Sequence, residues 1–126
     1  MSKKVLKILM LEDGKDDVGL IERILRKANV LFETRVVDQE EDFRKEINEF
    51  HPDLILSDHS LPQFNSLEAL KICRNLGLKT PFILVTGTVS DEFATKCLNA
   101  GAADYVLKSN LEKLPAAISS ALEARG

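Results

Sequence analysis

The sequence predicts an α/β protein built on an open, doubly wound parallel sheet of five strands, each followed by a helix. Three observations lead to this prediction. Short apolar runs, typical of buried parallel strands, recur five times along the chain. Each run precedes a segment that is helical by apolar spacing or by its end signals. Five strands are too few for an eight-stranded barrel, so the sheet is expected to stay open with helices on both faces.

The first two strand–helix units have clear patterns. Val5–Leu11 is an apolar run interrupted only by Lys7, which predicts a buried strand. The first helix carries its apolar face at Val18, Ile21, Leu25 and Ala28. Thr34–Val37 predicts a second strand, and Glu40–Phe50 predicts an amphipathic helix that ends before Pro52.

The third unit comprises a short apolar strand, Leu54–Leu56, and a helix over Leu67–Leu76. Gly77 follows this helix at the position where a glycine commonly ends one. The sequence therefore predicts that this helix stops at Gly77.

Two further units complete the alternation. Pro81–Val85 predicts the fourth strand, with its proline at the first position, where no ladder hydrogen bond is lost. Asp91–Ala100 predicts a helix that ends at Gly101, and Tyr105–Leu107 predicts the fifth strand. Pro115–Ala124 predicts the closing helix, because proline is tolerated in a first turn.

Composition and length narrow the class of protein. The 126 residues predict one domain, and the formal net charge of −3 gives no basic footprint for binding nucleic acid directly. No apolar run approaches the roughly 20 residues of a membrane span, and the N-terminus does not resemble a signal peptide. Cys73 and Cys97 are expected to be reduced, half-buried thiols of a cytoplasmic protein, because neither has a partner at metal-binding spacing.

Polar residues follow four of the five predicted strands. They are Glu12 and Asp13, then Asp58, then Thr86, and finally Lys108. Each alone has an ordinary explanation, such as a helix cap, an Asx turn or a solvated charge. Together they matter more, because ligands of open α/β sheets bind beyond the carboxyl ends of the strands.

These residue types predict a magnesium-dependent phosphoryl site. Three crowded carboxylates repel one another and raise one another's pKa, and a hard divalent cation relieves this repulsion. A carboxylate can itself attack phosphorus and form an aspartyl phosphate, while a lysine and a hydroxyl stabilise the transferring group. The sequence lacks the GxxxxGK[ST] loop, so it does not predict nucleotide binding by that route.

One ordered set of motifs runs over nearly the whole chain: Leu11-Glu12-Asp13, Asp53-Leu54-Ile55-Leu56-Ser57-Asp58, Leu61-Pro62, Thr86 and Gly101-Ala102-Ala103-Asp104-Tyr105-Val106-Leu107-Lys108. In this order and spacing they resemble the chemotaxis-Y-like receiver domain of bacterial two-component response regulators. The resemblance implies a flavodoxin-like (βα)5 fold with strand order 2-1-3-4-5. It also implies a phosphorelay function for residues 1–126.

The resemblance also implies a role for each site residue. Asp58 would be the phosphoacceptor, and Thr86 and Lys108 would contact the phosphoryl group. Asp13 would bind Mg²⁺ directly, Glu12 mainly through water, and Ser60 through its backbone carbonyl. Tyr105 would form an aromatic switch together with Thr86.

The implied partners are a histidine kinase or a histidine phosphotransfer protein, and a downstream protein target. We expect no direct contact with nucleic acid or a membrane, and a monomer or a weak phosphorylation-dependent dimer. We expect no catalysis beyond the protein's own phosphorylation and slow dephosphorylation.

Two alternatives remain at this point. One is a docking module that is not phosphorylated, although the acceptor, the acids, Thr86 and Lys108 are all present. The other is a phosphohydrolase of the haloacid dehalogenase type, which needs an acid where this chain has Ser60.

Two departures from the receiver pattern affect loops: Ser109 replaces the usual proline after the lysine, and Gln63-Phe64-Asn65-Ser66 replaces a loop that commonly contains glycine. Since Ser109 is not a proline, we expect a trans peptide bond between it and Lys108, followed by a loop from Ser109 to Lys113 that keeps the ammonium near Asp58.

Overall fold

Strands and helices alternate through the described part of the chain, which comprises residues 5–58, 64–87 and 91–125 of a computed structural model. The strands are β1 (Leu6–Leu11), β2 (Phe32–Val37), β3 (Leu54–Ser57), β4 (Phe82–Thr86) and β5 (Asp104–Leu107). The helices are α1 (Lys15–Lys27), α2 (Glu40–Phe50), α3 (Ser66–Asn75), α4 (Asp91–Asn99) and α5 (Leu114–Arg125). A short 3-10 helix, Lys108–Lys113, connects β5 to α5.

The five strands form one parallel sheet with the order β2-β1-β3-β4-β5. This confirms the predicted fold class and the strand order that the resemblance implied. β3 and β4 lie inside the sheet and are buried along their whole length. That burial explains why both read as continuous apolar runs rather than as an alternation.

Two hydrophobic clusters cover the two faces of the sheet, because successive strand residues point to opposite sides. Leu9 and Leu11 of β1 join one cluster, with residues of α2 and α3 and with Cys97 of α4. Ile8 and Met10 join the other, with residues of α1 and α5. Helices therefore cover both faces, as a doubly wound sheet requires.

Local signals fix several helix ends. The side chain of Asn65 accepts a hydrogen bond from the backbone N–H of Glu68 at 2.9 Å and caps the start of α3. His51 ends α2 in the left-handed region with φ 52°. Gly77 follows α3 with φ 76°, which confirms that the helix stops at this glycine.

Both cysteines are free thiols, and they lie deeper than the sequence suggested. Cys73 is 0% exposed and Cys97 is 1% exposed. The expectation of half-buried thiols was therefore wrong in degree, because α3 and α4 turn these residues fully into the core. Within the described ranges, no helix combines the length and apolar character needed to cross a bilayer.

Candidate functional site

The register of the sheet brings the polar strand ends together. Leu11 of β1 pairs with Ser57 of β3, so the next residues, Glu12 and Asp58, leave neighbouring strands at the same level. The backbone N–H of Asp58 donates to the carbonyl of Leu11 at 2.8 Å and continues this pairing by one residue. On the other side, Thr86 pairs with Leu107, directly before Lys108.

Lys108 lies among three carboxylates. Its Nζ is 2.8 Å from Glu12 Oε1, 2.9 Å from Asp58 Oδ2 and 2.6 Å from Asp17 Oδ2. A lysine ammonium has three N–H donors, and three acceptors surround this one. The ammonium thus links the ends of β1 and β3 to the first turn of α1.

Asp17 was not among the residues predicted from the sequence. It lies four residues after Asp13, in the first turn of α1, a helix that starts at the carboxyl edge of the sheet. That spacing could have indicated an acid near the site. The partner could not have been predicted locally, because Lys108 is 91 residues away.

Glu12, Asp13 and Asp58 form a cluster that fits a hard cation. One carboxylate oxygen from each lies within 4.8 Å of the others. Glu12 and Asp58 are buried, each 5% exposed, whereas Asp13 is open to solvent. An all-oxygen donor set with one open side suits Mg²⁺, which prefers oxygen ligands and keeps several waters.

Burial and crowding alter the protonation of the site. The pKa of Glu12 is raised to about 7: burial is the largest cause, the charge and hydrogen bonding of Asp58 add to it, and Lys108 counteracts them in part. Burial would lower the pKa of Lys108, but its hydrogen bonds to Asp17, Glu12 and Asp58 outweigh this and raise it. The rise in pKa that we expected among crowded carboxylates is therefore present at Glu12.

Backbone groups hold the Glu12 carboxylate in place. Its Oε2 accepts a hydrogen bond from the N–H of Asp13 at 3.0 Å and another from the N–H of Gly14 at 3.3 Å. Its Oε1 remains directed at Lys108. The carboxylate is thus fixed between the start of α1 and the lysine.

Thr86 and Tyr105 lie on adjacent strands. Tyr105 pairs with Leu84, and Leu107 pairs with Thr86, so alternation places Thr86 and Tyr105 on the same face of the sheet. Thr86 is fully buried, whereas Tyr105 is 38% exposed. Tyr105 borders a groove of about 710 Å³ between β5, the 3-10 helix and α5.

The unusual loop before α3 is anchored by three of its residues. Phe64 is 1% exposed, and its ring packs edge-on against Phe43 with centroids 5.4 Å apart. Asn65 caps α3, and the Ser66 hydroxyl lies 2.7 Å from the Ser57 hydroxyl. These contacts hold residues 64–66 against the core and at the start of α3. Ser60 lies outside the described residues.

The segment after Lys108 departs from expectation in one respect. The Lys108–Ser109 peptide bond is trans, as predicted. The expected loop after it is instead a 3-10 helix, Lys108–Lys113, with Leu111 buried in the core. Leu111 is the only buried residue of this helix, so the segment has no apolar period to reveal it.

Comparisons with known proteins agree on one family. The model of the response regulator receiver domain matches residues 8–119. The regulatory protein AtoC of Escherichia coli is 33% identical over 111 residues, which are 86% of this chain and 24% of AtoC. The transcriptional regulatory protein CiaR of Streptococcus pneumoniae is 31% identical over 97% of this chain and 54% of CiaR. The chain thus spans between a quarter and about half of these two relatives.

Solved structures agree with this family. A two-component response regulator of the LuxR family from Aurantimonas is 27% identical, with a TM-score of 0.82 over 97% of this chain and 88% of that one. The likeness covers the whole sheet and its flanking helices.

Proposed function

The chain belongs to the response regulator receiver domain family, and on that premise we propose that Asp58 accepts a phosphoryl group from a phosphohistidine. The donor is a histidine kinase or a histidine phosphotransfer protein. A carboxylate oxygen of Asp58 bonds to phosphorus and the N–P bond of the donor breaks. The electron pair returns to the imidazole nitrogen, which takes up a proton. The contact of Asp58 with Lys108, beside Glu12 and Asp13, carries this proposal.

The acidic cluster supports a magnesium-dependent reaction. In this proposal Asp13 binds the ion directly, Glu12 binds it mainly through water, and Asp58 and the backbone carbonyl of Ser60 complete the protein ligands. Mg²⁺, when bound, offsets the negative charge of the transferring group. Lys108 pairs with a phosphoryl oxygen, and the Thr86 hydroxyl donates a hydrogen bond to another.

Signal output in this proposal depends on Thr86 and Tyr105. Movement of Thr86 towards the phosphoryl group vacates space into which the Tyr105 ring turns. The face formed by α4, β5 and α5 then contacts a downstream protein. The receiver itself is a monomer or a weak phosphorylation-dependent dimer. Residues 1–126 act as one cytoplasmic receiver domain that does not itself bind nucleic acid or a membrane.

Labelling by a small phosphodonor tests the assignment of Asp58. With acetyl phosphate and Mg²⁺, intact-mass measurement is expected to show one added phosphoryl group on the natural chain. Asp58→Asn is expected to show none, because an amide of the same size is not a nucleophile, and a chelator is expected to abolish labelling. Asp42→Asn, which neutralises an exposed acid of α2, is the matched control and keeps full labelling.

Turnover distinguishes the switch from the enzyme alternative. We expect this chain to be labelled once and to lose phosphate slowly. A haloacid dehalogenase-type enzyme needs an acid for proton transfer at the position where this chain has Ser60. Repeated hydrolysis of a phosphomonoester, or comparable labelling of Asp58→Asn, would overturn the proposal. A natural chain that is folded but is not labelled by acetyl phosphate would instead support the docking module.

A further inference from the structure

Two sets of carboxylates overlap at the site. The cluster that fits a cation contains Glu12, Asp13 and Asp58. The acids around the Lys108 ammonium are Glu12, Asp58 and Asp17. Glu12 and Asp58 belong to both sets, whereas Asp17 belongs to the lysine set alone. A divalent cation and the ammonium therefore require the same two buried carboxylates.

Like charges make this overlap unfavourable. An ammonium held between Glu12 and Asp58 repels a cation that binds there, and it already occupies one oxygen of each carboxylate, Glu12 Oε1 and Asp58 Oδ2. Lysine is long and flexible, so its ammonium can shift while its stem stays in place. The cost of that shift depends on whether another anion is within reach.

Asp17 lies where such an anion is needed. Its Oδ2 makes the shortest of the three contacts to Lys108, and its side chain is 40% exposed, against 4% for Glu12 and 6% for Asp58. It projects from the first turn of α1, whereas Glu12 and Asp58 directly follow strands. Gly14 leaves room for it, since a Cβ there would lie 3.1 Å from Asp17 Oδ2.

We propose that Asp17 is a positioning residue that retains the Lys108 ammonium when Mg²⁺ takes Glu12 and Asp58. The inference rests on the proposed function, because it places Mg²⁺ at those two acids, at Asp58 directly and at Glu12 mainly through water. It assigns Asp17 a role through Lys108 and not as a ligand of the ion. Without the Asp17 carboxylate, Mg²⁺ has to separate Lys108 from both of the anionic partners that remain to it in the described part of the chain.

A double-mutant cycle read by the Mg²⁺ dissociation constant tests this role. We expect Asp17→Asn to raise the Kd about fivefold to tenfold, as a coupling between neighbouring charged groups does. Asp16→Asn, which removes an equal charge from an exposed neighbour on the same turn, is the matched control, with a change of about twofold or less. Asp17→Glu keeps the carboxylate and is expected to restore most of the affinity.

The lysine background separates the positioning role from a simple charge effect. In Lys108→Met, Asp17→Asn is expected to change the Kd no more than Asp16→Asn does, because the ammonium that Asp17 retains is gone. Lys108→Gln, whose amide can donate two hydrogen bonds to the buried acids, serves as the second background if Lys108→Met does not fold. Calorimetric titration with MgCl₂ measures every Kd.

The outcomes separate this inference from the proposed function. An equal effect of Asp17→Asn with and without the lysine, or an effect no larger than that of Asp16→Asn, would overturn the role of Asp17 alone. The proposed function would stand in that case, because the natural chain would still be labelled at Asp58 by acetyl phosphate. A natural chain that binds no Mg²⁺ and is not labelled by acetyl phosphate would overturn the proposed function and this inference with it.

Discussion

The hydroxyl oxygens of Ser57 and Ser66 lie 2.7 Å apart in the interior, at the two ends of the segment that contains Asp58. Ser57 is the last residue of β3, and Ser66 is the first of α3. Both are essentially unexposed, at 1% and 0%. The hydrogen bond therefore ties the end of β3, directly before Asp58, to the start of α3.

Removing one hydroxyl of this pair is expected to destabilise the fold. Ser66→Ala leaves the buried Ser57 hydroxyl without this partner, at a cost of about 1–3 kcal/mol in the free energy of unfolding. The double variant Ser57→Ala/Ser66→Ala is expected to lose less than the sum of the two single changes, because neither hydroxyl is then stranded. Urea unfolding measures all three. Strict additivity would show that the two hydroxyls do not interact.

The fold was predictable because its signals are local and repeated. The buried strands and the amphipathic face of α2 can each be read from a few adjacent residues, and Glu40–Phe50 was predicted with the observed bounds. Boundaries set by polar residues were less accurate. α1 begins at Lys15, three residues before the first residue of its predicted apolar face, Val18, because its first turn is polar and adds nothing to the apolar period.

The site was only partly predictable for a different reason. Glu12, Asp13, Asp58 and Lys108 follow strands, so the parallel sheet itself brings them to one edge. Asp17 lies within a helix, and its contact with Lys108 depends on how α1 packs against the segment after β5. The Ser57–Ser66 bond likewise depends on packing, which no short pattern in the sequence describes.

Gly101 is expected to tolerate no side chain. Its φ of +113° is one that residues with a Cβ rarely adopt, and a Cβ would lie 2.7 Å from Arg74 Nε. Arg74 cannot move freely, because it donates 2.8 Å hydrogen bonds to the carbonyls of Leu78 and Gly101. Gly101→Ala is therefore expected to lower the free energy of unfolding by about 1–3 kcal/mol.

Gly19→Ala is the matched control for that substitution. Gly19 is exposed within α1, and nothing lies within 4 Å of an added Cβ. Alanine is expected to stabilise the helix there by about 0.5–1 kcal/mol, since it forms helix better than glycine. Thermal or urea unfolding should therefore show opposite signs for the two variants. Equal effects would contradict the strain assigned to Gly101.

The two core thiols are expected to resist modification in the folded protein. Burial raises the pKa of the Cys73 thiol to about 11 and also raises the pKa of Cys97. The thiolate is the reactive form, so raising the pH from about 7 to 9 should accelerate labelling of the unfolded chain, whose thiols titrate near pH 8.5. The native protein should stay slow over that range. Rapid labelling of either thiol by Ellman's reagent in native buffer would contradict this.

Tyr105 can report its own movement, because the chain has one tyrosine and no tryptophan. Its ring is 38% exposed beside the groove along β5. If phosphorylation of Asp58 draws Thr86 away and the ring turns inward, acrylamide should quench tyrosine emission less in the phosphorylated protein. To move the ring from an outward to an inward position, the contact with the phosphoryl group must favour the inward state by a few kcal/mol. Asp58→Asn should abolish the change, and Thr86→Ala should uncouple it from labelling. Unchanged quenching in protein whose mass shows the phosphoryl group would exclude Tyr105 as the switch.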